Sequence, residues 1–81
     1  MSTLITNEWS LIAANSGVLL QKFGNETLYV AYTDGEEPIS GSHSVFVLKS
    51  SKIQVFEKVQ DKSIWIKASR EDLHVTYEIL G

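Results

Sequence analysis

Apolar residues in this chain recur at every second position over short runs, and polar turn residues separate the runs. Such a period marks an extended strand, because successive side chains of a strand point to opposite faces. The stretch from Leu19 to Tyr32 shows this best. Leu28, Val30 and Tyr32 fall on one side of an extended chain, and Thr27, Tyr29 and Ala31 on the other. Gly24-Asn25-Glu26 separates this run from the apolar run Val18 to Phe23. A Gly-Asn interruption between two such runs reads as the bend of a hairpin. The two runs are therefore expected to form the central pair of a small antiparallel sheet.

The same pattern continues along the chain. Met1 to Asn7 is polar-mixed and reads as a loose N-terminal arm. Trp9 and Leu11 alternate with Ser10 and Ile12, which predicts a first strand over Glu8 to Ala13, and Asn15-Ser16-Gly17 is a turn cluster. Thr33 to Ser42 is the longest stretch without periodicity. Asp34-Gly35 is a turn signal there, and Pro38 cannot donate to a sheet ladder. This loop is expected to carry the chain from one sheet to the other, with Ile39 pinning it down.

His43 to Lys49 reads as a strand with apolar residues on both sides, Val45 and Val47 against Phe46 and Leu48, and so as covered on both faces. Over Ile53 to Gln60, Ile53, Val55 and Val59 alternate with Gln54, Phe56 and Lys58. Glu57 falls on the apolar side of that alternation, which points to a bulge near Phe56 or an exposed strand end. Ser63 to Ala68 sets Ile64, Ile66 and Ala68 against Trp65 and Lys67. Ser69 to Asp72 allows at most one helical turn. Leu73 to Leu80 has the cleanest alternation of all, Leu73, Val75, Tyr77 and Ile79 against His74, Thr76 and Glu78. About seven short strands at roughly 8–12-residue spacing predict an all-β domain, a small antiparallel β-sandwich or a partly closed barrel. The arm takes residues 1–7 and the single domain 8–81.

Composition narrows the function classes. A chain of 81 residues makes one domain. At this length folding buries only roughly 60% of the unfolded surface, so the core is modest. There is no cysteine, hence no disulfide and no Cys-based zinc site. Self-association is the remaining reinforcement, and a homo-oligomer, a trimer or larger ring, is expected. The net charge of −3 disfavours broad nucleic-acid binding, which needs a positive field. No uninterrupted apolar run approaches the ~20 residues that a membrane-spanning helix needs. The N-terminus has neither the basic start nor the apolar core of a signal peptide, so a chain made and kept in soluble form inside a cell is expected, without membrane partners.

Few constellations could carry chemistry. Asp34, Glu36 and Glu37 lack the alternating donors and terminal Glu of a calcium loop and read as a solvated acidic loop. His43 and His74, with Glu57 or Glu78, have neither Cys partners nor close His spacing, and read as strand histidines. No GxSxG elbow holds any of the ten serines as a nucleophile. No Gly-rich phosphate loop is present. No enzyme, metal or cofactor is expected. The aromatics are more informative: Trp65 and Lys67 share the face opposite Ile64 and Ile66, and Tyr29 lies opposite Leu28 and Val30. Aromatics beside a lysine stack on bases or sugars, form a second core layer, or mark protein–protein interfaces. In an acidic chain the interface reading leads, and Trp65, Lys67, Tyr29, Phe46 and Trp9 are its candidate residues.

Three segments also carry a family resemblance: VLLQKFGNETLYVAYTDGEEP, HSVFVLKSSKIQVFE and SIWIKASREDLHVTYEIL. Their order resembles a group of small proteins encoded among the virion genes of tailed bacteriophages, over about Trp9 to Leu80. Two departures stand out. Lys22-Phe23 replaces an Asn and a small or polar residue, and Ser50-Ser51-Lys52 replaces a Pro-Gly type turn. The resemblance implies a structural component of the particle, such as a capsid decoration or a head–tail or tail-associated protein. It would be made in the host cytoplasm, located in the virion and bound to other virion proteins. It implies no catalytic residues. The rival expectation is a small glycan- or ligand-binding β module, with Trp65, Tyr29 and the acidic loop lining its site.

Overall fold

The computed structural model describes residues 2–24, 26–38, 45–69 and 73–81. They form eight strands and no helix: β1 (Ser2–Ile5), β2 (Ser10–Ala14), β3 (Val18–Lys22), β4 (Leu28–Thr33), β5 (Val45–Leu48), β6 (Lys52–Phe56), β7 (Ser63–Ala68) and β8 (Leu73–Ile79). Two four-stranded antiparallel sheets result, one in the order β1-β8-β3-β6 and the other in the order β2-β7-β4-β5. The architecture is a small β-sandwich, as the alternation predicts. The inward side chains of both sheets merge into one cluster that includes Val18, Leu20, Leu28, Val30, Ile64, Ile66 and Val75.

The connectivity differs from the expected hairpin. β3 and β4 are each a central strand, but of different sheets: β3 lies between β8 and β6, and β4 between β7 and β5. Val18 and Leu20 of β3 face Leu28 and Val30 of β4 across the core instead of beside them. The corner between the strands explains this. Gly24 adopts φ 81°, a conformation open to glycine at little cost. Its N–H donates to Ser51 Oγ at 2.8 Å, and its carbonyl accepts from Lys22 Nζ at 2.7 Å and from the Ser51 hydroxyl at 3.2 Å. The corner is thus tied to the β5–β6 turn and to the end of β3, not closed into a β3–β4 ladder. Lys22, at the inner end of β3, is buried with its ammonium satisfied there. Burial lowers its pKa below the ordinary value, and the nearby Glu26 charge opposes that shift.

Two further expectations change. The arm contains β1, which pairs with β8 from Ser2↔Thr76 to Ile5↔Leu73, and Ile5 is buried in the core. An isolated STLI has too little alternation to be read as a strand; its partner, far along the chain, makes it one. The loop after β4 does not change sheets, because β4 and β5 are neighbours in one ladder, Leu28↔Leu48 to Ala31↔Val45. Pro38 in that loop is buried, while the expected anchor Ile39 lies outside the described residues, as do His43 and residues 70–72 of the possible helical turn. In β6, Ile53 and Val55 face out and Phe56 faces in. The strand ends at Phe56, so Glu57 marks an exposed strand end. The register irregularity sits elsewhere, in β2, between Leu11 and Ala13.

Candidate functional site

The five candidate interface residues separate into two places. Trp9, Tyr29, Trp65 and Lys67 lie toward the outer face of the β2-β7-β4-β5 sheet. Tyr29 alternates with buried Leu28 and Val30, Lys67 sits between buried Ile66 and Ala68, and Tyr29 pairs with Lys67 across the ladder. The Lys67 ammonium rests 4.8 Å from the centroid of the Trp9 ring and 5.7 Å from that of Tyr29. A cation over an aromatic face is attracted by about 0.5–1 kcal/mol where water reaches it. Asn7, Glu8 and Glu37 complete a shallow polar recess around Trp9 and Lys67.

Trp65 is half-buried, and its indole N–H donates to Thr33 Oγ1 at 2.9 Å. The same oxygen accepts the Gly35 N–H at 3.2 Å, which accounts for a threonine buried at the end of β4. The polar end of Trp65 is therefore engaged within the chain.

Phe46 belongs to the other place. It pairs with Val30, so it points toward the interior, yet it remains nearly half exposed. Its ring meets Tyr32 at 6.0 Å and 73°, and Phe56 at 5.8 Å and 62°, both edge to face. This cluster fills the seam where β5 and β6, edge strands of different sheets, come together. The Tyr32 hydroxyl crosses the seam and donates to the Glu57 carbonyl at 2.8 Å. Burial, with the Glu57 charge adding to it, raises the Tyr32 pKa above its ordinary value.

Exposed large apolar side chains stand on β5 and β6 and just past β6, Val47 on the outer face of one sheet and Ile53 and Val55 on the outer face of the other. Ile53 is 63% exposed, Val55 52%, Val59 46%, and Phe46 and Val47 45% each. Elsewhere among the described residues only Leu11, Phe23, Ile79 and Leu80 are comparable. The sequence pattern did not single out the aliphatic members. β6 carries apolar residues on both of its alternations, and only burial decides that Phe56, with more area to hide, takes the inner side.

Among the described residues, no group of three or more His, Cys, Asp or Glu is placed to hold a metal ion. His74 is exposed on β8, and Asp34 pairs with Lys62. Every buried side-chain N or O atom described has a hydrogen-bond partner. No described helix could cross a membrane. No protein-family model, curated protein or solved structure matches this chain.

Proposed function

We propose that this chain is a non-enzymatic structural component of a phage particle, a capsid decoration or a head–tail or tail-associated protein. It acts by binding its own copies and other coat or tail proteins. One observation supports the binding role: the edge strand β6 exposes Ile53 and Val55 on its outer face, with Val59 just past its end and the half-exposed Phe46 at the seam beside it. Apolar side chains beside unpaired backbone groups favour pairing with another chain. A small sandwich with no disulfide gains stability by such burial. The particle assignment is supported by the order of the three segments that resemble virion proteins.

Two measurements test the proposal. Light scattering across a concentration series should give a mass above that of one chain, and mass spectrometry of particles carrying the gene should find the chain in fixed ratio to the coat protein. A single-chain mass at every concentration, together with absence from particles, would end it.

A second reading, a small glycan-binding module, is favoured by the recess of Asn7, Glu8, Trp9, Glu37 and Lys67, which combines an aromatic ring with polar groups. It predicts that soluble sugars quench or shift the tryptophan fluorescence, and that Trp9→Ala abolishes the effect.

A further inference from the structure

We infer that β6 is the strand on which a second copy of this chain docks, by antiparallel pairing about a two-fold axis through Gln54. The inference rests on the self-association proposed above and specifies its contact.

Among the described residues β6 pairs with β3 alone, from Val18↔Phe56 to Lys22↔Lys52, and no strand pairs with its other side. Edge strands are normally protected by proline, by a bulge, or by charge within the strand. β6 has no proline, its register with β3 runs without a shift, and its outward central residues are the exposed aliphatics Ile53 and Val55. Its charges stand at the rims, Lys52 at the start and Glu57 and Lys58 just past the end.

Symmetry and charge then choose the register. A two-fold contact must be self-complementary, and only residues on the same face can oppose each other. With the axis on Gln54, the whole strand pairs with its copy. Ile53 opposes Val55 twice and Lys52 opposes Phe56. Moving the axis to Val55 sets Lys52 against Lys58 and Ile53 against Glu57, and like charges directly opposite are unfavourable. Moving it to Ile53 shortens the ladder and leaves Phe56 outside. Leu19, which lies beside Val55 in the β3–β6 ladder, extends the aliphatic strip. Two apolar side chains from each copy, Ile53 and Val55, then stand side by side, flanked by Leu19, and the two β1-β8-β3-β6 sheets become one continuous sheet. The basic unit is thus a two-fold dimer, not a closed ring of three or more.

Sedimentation velocity on the full chain tests this. The wild type should dimerise, and Val55→Lys should weaken the dimer at least tenfold while leaving the far-ultraviolet circular dichroism unchanged. Leu11→Lys, at an equally exposed residue of β2, should leave the dimer intact. Because the chain has no cysteine, Gln54→Cys should give a covalent dimer under mild oxidation, and Leu11→Cys should not. A wild-type dimer that survives Val55→Lys overturns the β6 contact and leaves self-association standing. A wild type with the mass of one chain at the highest attainable concentration overturns both.

Discussion

The two sides of the sandwich are closed differently. On the β1/β2 side the backbone does the closing. The connector after β1 accepts the Ala68 N–H at the Thr6 carbonyl, 2.9 Å, and Ile5 is buried beside it. On the β5/β6 side the described closure is by side chains: the Tyr32–Phe46–Phe56 rings and one phenol-to-carbonyl bond. The backbone closure hides Ile5, although Leu11 of β2 stays half exposed on the outer face. A side-chain closure leaves part of each ring and the flanking aliphatics in water. The difference leaves more apolar side chain in water on the β5/β6 side than on the β1/β2 side.

Substitutions should separate the sides. Ile5→Ala on the closed side should lower the unfolding free energy by about 3 kcal/mol in urea titrations, the usual cost of a buried Ile truncated to Ala. Gly17→Ala should cost about 1–3 kcal/mol. A Cβ there would stand 3.1 Å from both the Lys58 amide nitrogen and the Phe56 carbonyl oxygen, backbone atoms with little room to move. Phe46→Ala, on the open side, should cost only about 1 kcal/mol, because the ring is already half in water and loses chiefly its edge-to-face contacts. A cost for Phe46→Ala equal to that of Ile5→Ala would erase the distinction.

The smallest effect is in the pH dependence. Tyr32 has a folded pKa above its ordinary 10.0, so its proton leaves the unfolded chain first. Its contribution to stability is complete below that ordinary value and is lost as pH rises through the raised one. Lys22, lowered from 10.5, works in the opposite sense, and stability rises with pH between its lowered value and 10.5. Unfolding midpoints measured across the alkaline range should show less loss in Tyr32→Phe and less rise in Lys22→Met than in the wild type.

Local structure was largely legible. The expected strand over Ser63 to Ala68 has the bounds of β7, and the alternation from Leu73 gives β8 within one residue. Partnership was not legible. Val18–Lys22 and Leu28–Thr33 alternate equally well whether they pair in one sheet or face each other across a core, because the period of two is common to both. A hydrogen-bonded corner at Gly24 decides between them, and it involves Ser51, 27 residues away. The candidate site was legible in part. Aromatics flanking Lys67 were expected, and the structure does gather Trp9 and Tyr29 around it. Phe46 lies elsewhere, and the exposure of Ile53 and Val55 depends on which face of β6 wins the interior.

The strand order has one more consequence. Each of the six ladders joins a member of the set β1–β4 to a member of the set β5–β8, and none joins two strands of the same set. Neither half therefore has a hydrogen-bonding partner of its own; each is a comb whose teeth fit only the gaps of the other. Four of the ladders, β4–β5, β3–β6, β2–β7 and β1–β8, nest about the loop between β4 and β5, so the ladders outside β4–β5 join segments progressively farther apart in the chain, and such non-local pairing makes for slow folding. Cut in the loop between β4 and β5, the chain should yield two fragments that are shapeless apart and regain the sandwich when mixed.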